Sequence, residues 1–187
     1  FKFSANGGKT WPEYVITSND PQNRFFYWDQ RPGVLADGRI LNLFWSYDKQ
    51  AGAYLNIHAR ESTDNGRTWS PMWDTGVPGQ PATPVSMPDG RVAMVHVNRT
   101  SAPAIEVRTS DDMGRTWPEE TRMVLYDAGT DSQTRKKTTM QDAWAEIGNY
   151  SVGLPATAVT ADGDLLVAYY AGAETDRTDI QWVRVKT

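Results

Sequence analysis

Apolar residues are concentrated in three near-continuous runs, and each run follows an Asp-Gly pair closely. The runs are Ile40–Trp45, Val92–Val97 and Leu165–Tyr170. An Asp-Gly pair between apolar segments is a strong β-hairpin signal, and a continuous apolar run is typical of a strand buried on both faces. An extended segment containing proline precedes each hairpin and is predicted to be its first strand. These segments are Gln30–Leu35, Ala82–Met87 and Leu154–Thr160.

A third strand is predicted after each hairpin. The three segments are Leu55–Arg60, Ala104–Arg108 and Ile180–Val185. Nearly the same eight residues also occur three times, as Ser4–Trp11, Ser62–Trp69 and Ser110–Trp117. The first residues of these octamers lie 58 and 48 positions apart (62 − 4 and 110 − 62). Repeats at intervals of about 40 to 50 residues indicate propellers or arrays.

The residue types of the octamer suit a tight turn rather than catalysis. Its Asp, or Asn in the first copy, can accept hydrogen bonds from backbone N–H groups of its own turn. Its Gly can adopt positive φ without steric cost. Its Trp begins the next strand with a large apolar face and one N–H group that needs a partner. We therefore interpret the octamer as a folding device that joins a third strand to a fourth.

Four antiparallel strands in each unit of about 50 residues predict an all-β chain built from β-propeller blades. We expect a single domain over residues 1–187, with blades at approximately 19–75, 76–127 and 150–187 and an N-terminal strand segment at 1–18. A short helix is predicted only around Thr138–Ile147.

The strand count adds a prediction about assembly. A fourth strand, Trp11–Thr17, precedes the first full blade, and the last unit has three strands only. About three blades are too few to close a ring. Either the chain is the C-terminal half of a longer protein, or two copies exchange N-terminal strands and complete a six-bladed ring. Because two-fold pairing is the commonest symmetry, we expect a homodimer.

Composition narrows the classes of partner. The 187 residues carry a net charge of −4, with both signs mixed along the chain, so a nucleic-acid partner is not expected. The chain has no Cys, and its two His have no metal-ligand spacing. No apolar run reaches the length of about 18 residues that would indicate a membrane span. No metal and no cofactor are expected.

The octamers resemble the Asp-box, or bacterial neuraminidase repeat, of the sialidase superfamily. The resemblance extends over residues 1–186 and includes Tyr27–Pro32 and Val167–Gly172, which are similar to segments of bacterial sialidase-family proteins. It implies a six-bladed propeller. Asp-boxes also occur in propellers without catalytic activity, so they are specific for the blade and not for a reaction.

The resemblance also implies roles for individual residues. Sialidases bind the substrate carboxylate with three arginines and use a Tyr nucleophile that a carboxylate activates. Similarity to the segment bearing the nucleophile implies that role for Tyr150. Asp29, eight residues before the first Asp-Gly pair, corresponds to the activating carboxylate. Arg99, eleven residues before the third octamer, corresponds to a triad arginine, and Arg31 is a second expected anion binder.

Departures from the family pattern weaken the expectation of activity. Trp45 and Ser46 stand where a second triad arginine is expected. The first triad arginine and the general acid belong to N-terminal blades of the family, which this chain does not match. Asp48 and His58 are candidate substitutes in an altered site, while His96 is expected in the core or channel.

These observations lead to one expected function and two alternatives. We expect a sialidase-like propeller that binds a glycan or other small anionic ligand in a central channel, without full sialidase activity as a single chain. One alternative is a fragment of a retaining exo-glycosidase with a Tyr nucleophile. The other is a non-catalytic interaction scaffold. The insertion Gly129–Asn149 is expected to be a binding loop or disordered.

Overall fold

The chain folds into a succession of open antiparallel β-sheets. In the computed structural model, which describes residues 1–100, 103–129 and 135–186, fifteen strands form four sheets. One α-helix and one 3-10 turn, Glu119–Thr121, complete the regular structure of these residues. The prediction of a mostly β chain is confirmed.

A small hairpin forms the first sheet. Its strands are β1, Lys2–Phe3, and β2, Glu13–Tyr14. The hairpin lies against the next sheet, where the ring of Phe1 contacts that of Trp69 with centroids 4.8 Å apart. The guanidinium of Arg60 also donates a 2.6 Å hydrogen bond to the Thr17 carbonyl. The N-terminal segment is thus attached to the first large sheet by both apolar and polar contacts.

The second sheet has the order β3-β4-β6-β7, with β5 paired to β4. Its strands are β3, Phe25–Val34; β4, Ile40–Asp48; β5, Ala53–Tyr54; β6, Asn56–Ser62; and β7, Trp73–Pro78. The predicted Asp-Gly hairpin joins β3 to β4, and Val34 lies opposite Ile40. β3 begins earlier than predicted, because a bulge between Tyr27 and Gln30 lets the ladder continue beyond residues 28 and 29.

The third sheet has the order β12-β11-β10-β8, with β9 also paired to β10. Its strands are β8, Gln80–Pro81; β9, Val85–Ser86; β10, Val92–Asn98; β11, Ala104–Ser110; and β12, Met123–Asp127. The first strand predicted over Ala82–Met87 is paired only at Val85–Ser86, as β9, while β8 lies just before the predicted segment. Pro84 lies between these two strands and has no N–H group to donate to a ladder.

The last sheet follows a short helix. The elements are α1, Met140–Ile147; β13, Val152–Val159; β14, Leu165–Glu174; and β15, Arg177–Val185. The predicted helix is confirmed, and a capping box between Thr139 and Asp142 begins it. Part of the Gly129–Asn149 insertion, residues 130–134, lies outside the described residues.

The octamer turns are closed by the side chains that the sequence indicates. In the second turn, Asp64 accepts hydrogen bonds from the Thr68 backbone N–H at 2.8 Å and from the Thr68 hydroxyl at 2.6 Å. The Ser62 hydroxyl accepts from the Gly66 N–H at 2.8 Å, and the Trp69 indole N–H donates to the Gly66 carbonyl at 3.0 Å. The first and third turns repeat the Ser, Asp or Asn, and Thr bonds.

The three larger sheets are stacked side by side, and β10 is buried on both faces. Val92 and Met94 of β10 join a core cluster with the second sheet. Val95 and Val97 join a cluster that includes Val167 of the last sheet. Because successive side chains of a strand point to opposite faces, one strand supplies both cores. This stacking brings the ends of strands from three sheets together.

Candidate functional site

A cavity of about 220 Å³ lies near the ends of β4, β10 and β14. Its wall consists of aromatic, apolar and a few polar side chains: Trp28, Asp29, Trp45, Gln80, Arg99, Trp144, Ile147, Tyr150, Leu154 and Tyr170. Three residues singled out from the sequence, Asp29, Arg99 and Tyr150, therefore lie at one site.

Arg99 is the buried cation of this site. Only 4% of the residue is exposed, and its guanidinium lies 3.9 Å from the centroid of the Tyr150 ring. Its Nη1 donates to the Gln80 side chain at 3.0 Å, and its Nη2 donates to the Val152 carbonyl at 2.6 Å. Burial lowers the pKa of Arg99, because the charged form has lost solvation. Among the described residues it forms no ion pair with a carboxylate.

Asp29 is connected to Arg99 through one amide side chain. Its Oδ2 accepts a 2.6 Å hydrogen bond from Gln80 Nε2, while the oxygen of the same amide accepts from Arg99. Arg31 also donates to Asp29 Oδ2, at 3.2 Å, and does not line the cavity itself. Gln80 thus holds an acidic and a basic group in fixed positions on one wall. Sequence reasoning did not select Gln80, because an isolated Gln beside a Pro has no distinctive pattern.

Tyr150 is paired with a carboxylate other than the one expected. Its hydroxyl donates a 2.9 Å hydrogen bond to Glu146 Oε2, and Lys137 Nζ donates to Glu146 Oε1 at 2.6 Å. Desolvation, with a smaller contribution from neighbouring Tyr54, raises the pKa of the Tyr150 phenol well above its usual range. Glu146 was missed, although a signal existed: it stands one helical turn before Tyr150 in a segment with a capping signature.

Stacked aromatic rings form the opposite wall. Trp28 lies between Tyr47, at a centroid distance of 5.2 Å and 13° between planes, and Trp144 of α1, at 5.3 Å and 18°. Trp45 meets the edge of the Trp28 ring at 5.1 Å. Trp45 therefore contributes an apolar surface at the position where the resemblance to sialidases implied an arginine.

The structure places Asp48 and His58 outside the cavity wall. Asp48 accepts two hydrogen bonds from Arg24 Nε and Nη2, at 3.0 and 2.6 Å, and bonds from the Gln50 and Ala51 N–H groups. The Arg24 bond, with these backbone bonds, lowers the pKa of Asp48 to about 2. His58 lies edge-on to another ring of the second sheet, and burial lowers its pKa. Both side chains are occupied in local structure.

His96 belongs to the interior between two sheets, in line with its expected place in the core or channel. Its Nε2 lies 3.6 Å from Glu106 Oε2, and Arg122 donates a 2.6 Å hydrogen bond to Glu106 Oε1. Burial lowers the pKa of His96 to about 3, which favours the neutral ring. Within the described ranges, no cluster of His, Asp and Glu side chains is arranged to hold a metal ion. The helix found in these ranges is too short to cross a membrane.

Comparison with known proteins gives similarity at the level of structure. No protein-family model matches the sequence, and no curated protein matches it. A protein of unknown function from Dyadobacter fermentans superposes with a TM-score of 0.69 at 18% identity, covering 98% of this chain and 44% of that one. The intramolecular trans-sialidase from Ruminococcus gnavus, in complex with oseltamivir carboxylate, gives a TM-score of 0.59 at 15% identity, covering 100% and 40%.

A xylan β-1,4-xylosidase from Bacillus halodurans gives a TM-score of 0.54 at 15% identity, covering 86% of this chain and 31% of that one. Identities this low establish the fold alone, which is the propeller-type fold of sialidases and glycosidases. The chain spans less than half the length of each of these three structures.

Proposed function

We propose that this chain is part of a sialidase-like Asp-box propeller and binds a small anionic glycan in the cavity beside Arg99. The observation that carries the proposal is a buried guanidinium without an ion-pair partner among the described residues, set in an aromatic wall. A buried charge is costly unless it is paired, so an anionic ligand group would offset that cost. Apolar faces of a sugar ring suit the Trp144 ring, which lines the cavity and is 56% exposed.

The size of the cavity indicates how much of a ligand it encloses. Its volume of about 220 Å³ is below the usual range of about 300 to 1,000 Å³ for sites of drug-sized ligands. One sugar ring with its carboxylate therefore matches the space better than a longer chain. Asp29 and Gln80 provide hydrogen-bonding groups for ring hydroxyls on the same wall as Arg99.

The test compares the binding of N-acetylneuraminic acid with that of its methyl ester. Esterification removes the negative charge of the carboxylate and leaves the rest of the sugar unchanged. Isothermal titration calorimetry should show the acid binding at least about tenfold more tightly, because a charge-assisted hydrogen bond contributes about 1.5 to 3 kcal/mol. Arg99→Gln should abolish this preference. Arg177→Gln, an equal charge change at an exposed position of β15, should preserve it. Equal affinities for acid and ester, or a preference unchanged in a folded Arg99→Gln variant, would contradict the proposal.

A second candidate function is retaining glycosidase activity, and the Tyr150–Glu146 hydrogen bond favours it. In that reaction the phenol transfers its proton to Glu146 and its oxygen bonds to the anomeric carbon. The bond from that carbon to the aglycone oxygen breaks at the same time, and the departing oxygen takes a proton from water. Asp29, the activator implied by family resemblance, lies on the same cavity wall without a bond to the phenol. A fluorogenic sialoside assay should then show turnover that Tyr150→Phe and Glu146→Gln abolish. Ligand binding without turnover in the wild-type chain would remove this candidate and retain the binding proposal.

A further inference from the structure

Among the described residues, two carboxylates are hydrogen-bonded to side chains of the cavity wall beside Arg99. Asp29 bonds to Gln80, and Glu146 accepts the 2.9 Å hydrogen bond from the Tyr150 phenol. The centroid of the Tyr150 ring lies 3.9 Å from the Arg99 guanidinium, so one phenol ring separates Glu146 from that cation. Both acids are therefore close enough to oppose an anionic ligand at Arg99 unless their charges are compensated.

Glu146 has a buried cation of its own. Lys137 Nζ donates a 2.6 Å hydrogen bond to Glu146 Oε1, and the same oxygen accepts from the Arg135 backbone N–H at 2.9 Å. The Lys137 side chain is only 5% exposed, and that of Glu146 is 17% exposed. Little solvent therefore screens this ion pair, and the negative charge is compensated where it lies.

Contacts with the second sheet fix the position of Lys137. Its backbone N–H donates to the Gly52 carbonyl at 2.8 Å. Gly52 has a positive φ of 65°, and a Cβ at this position would overlap the Lys137 carbonyl oxygen. Lys137 does not line the cavity. It can therefore compensate the charge of Glu146 without contacting a ligand.

Asp29 has the same arrangement with a more exposed partner. Arg31 Nη2 lies 3.2 Å from Asp29 Oδ2, and Arg31 does not line the cavity. The Arg31 and Asp29 side chains are 30% and 39% exposed, so solvent weakens this ion pair more than the pair of Lys137 and Glu146. Each of the two carboxylates is thus paired with a cation outside the cavity wall, which leaves the charge of Arg99 for a ligand.

We propose that Lys137 and, more weakly, Arg31 determine the selectivity of the cavity for an anionic ligand, by neutralising Glu146 and Asp29. The inference rests on the proposed function, because it concerns how the same cavity distinguishes an acidic sugar from a neutral one. Without Lys137, the Glu146 carboxylate would repel the carboxylate of the ligand across the Tyr150 ring. Both cations therefore act on specificity through a neighbouring carboxylate and not through contact with the ligand.

The test measures the preference for N-acetylneuraminic acid over its methyl ester, as the ratio of dissociation constants from calorimetry at about pH 8. Lys137→Met keeps the apolar stem of the side chain and removes its charge. It should reduce the preference at least about fivefold, because an uncompensated negative charge weakens binding of the acid and not of the ester. Lys137→Arg retains the charge and should retain the preference. Lys136→Met removes an equal charge from the exposed neighbouring residue and is the matched control, with no expected change.

A double variant separates the effect of charge from that of structure. Lys137→Met combined with Glu146→Gln removes both charges of the pair and should restore the preference, whereas a purely structural role of Lys137 predicts no restoration. Arg31→Gln should lower the preference by a smaller factor, and added Asp29→Asn should restore it. The Arg31 variants keep the proposal testable if Lys137→Met does not fold, because Arg31 and Asp29 are both partly exposed.

The possible results distinguish this inference from the proposed function. A wild type that binds acid and ester equally overturns both. A wild type with the preference and a folded Lys137→Met variant that retains it overturn only the role of Lys137. An equal loss in Lys136→Met would assign the effect to net charge, and a lack of restoration in the double variant would assign it to packing. Either result would overturn the inference.

Discussion

Single residues from distant parts of the chain position the charged groups of the cavity beside Arg99. Gln80 hydrogen-bonds to both Asp29 and Arg99, so one side-chain amide fixes the position of a carboxylate relative to a guanidinium. The Arg99 guanidinium reaches the Val152 carbonyl, and the next residue is Gly153. At this position the absence of a side chain is what leaves room for the guanidinium.

Gly153→Ala should displace Arg99, because the added Cβ would overlap Nη2 and lie 2.9 Å from the Tyr170 hydroxyl. Overpacking of this kind costs about 1 to 3 kcal/mol of stability. We expect that loss in urea denaturation, together with at least tenfold weaker binding of the acidic sugar in calorimetry. Gly148→Ala, whose added Cβ meets only a carbonyl at 3.5 Å, should change neither. Unaltered binding by Gly153→Ala would contradict the described position of Arg99.

Asp48 gives a residue-scale prediction about acid stability. Arg24 and two backbone N–H groups lower its pKa from 3.8 to about 2 in the folded state. The ionised carboxylate therefore stabilises the fold fully above about pH 4, and this contribution disappears as the pH falls towards 2. Asp48→Asn should cost about 1 to 3 kcal/mol at pH 7. Urea denaturation at both pH values should show this difference at pH 7 and little of it near pH 2.

At the scale of elements, the octamer turn is a local structure whose energetic importance depends on its surroundings. The exposed first turn and the third turn, which packs on the second sheet, have equivalent backbone bonds to a Ser hydroxyl and to an Asn or Asp oxygen. The third turn also packs against the neighbouring sheet through Trp117. The same hydrogen bonds therefore support a tertiary interface in one turn and only a loop in the other.

Asp112→Ala and Asn6→Ala should consequently differ. Asp112 accepts from the Thr116 N–H at 2.8 Å and from the Thr116 and Ser110 hydroxyls, both at 2.7 Å. Its loss should cost about 1 to 3 kcal/mol of unfolding free energy, since the turn that carries Trp117 is loosened. Asn6→Ala, in the exposed turn, should cost less than about 0.5 kcal/mol. Chemical denaturation measures both losses. Equal losses of unfolding free energy in the two variants would show that the packing of Trp117 does not increase the cost of losing the turn bonds.

At the scale of the whole molecule, stability depends on side chains shared between sheets. Leu41 is completely buried in the cluster that joins the second sheet to Val92, Met94 and Trp117 of the third. Because protein interiors are close-packed, removing a side chain from this shared core in one sheet also removes packing contacts of the next sheet.

Leu41→Ala should therefore destabilise both sheets together by about 2 to 5 kcal/mol, through lost burial and a new cavity. Hydrogen exchange should show reduced protection in β10 as well as in β4. Val34→Ala, at a position that is 72% exposed, is the control and should have little effect. Loss of protection confined to the second sheet would indicate that the sheets unfold independently.

Much of the fold and part of the site could be predicted from the sequence. Hairpins, octamer turns and the short helix depend on residues close together in the chain. Asp29, Arg99 and Tyr150 were identified by resemblance and do lie at one cavity. Glu146 was not identified, because its bond to Tyr150 depends on how α1 lies across the strand ends.

By itself, the sequence determined the local conformations and the repeating strand order, since turn bonds and apolar periodicity involve near neighbours. Only the tertiary structure decided which side chains share the cavity wall. The Gln80–Asp29 and Arg99–Val152 bonds join residues 51 and 53 positions apart. A bulge beside Trp28 and the stacking of three sheets bring those residues together, and neither follows from local propensity. Burial then gives these charged and phenolic groups properties that their residue types alone do not have.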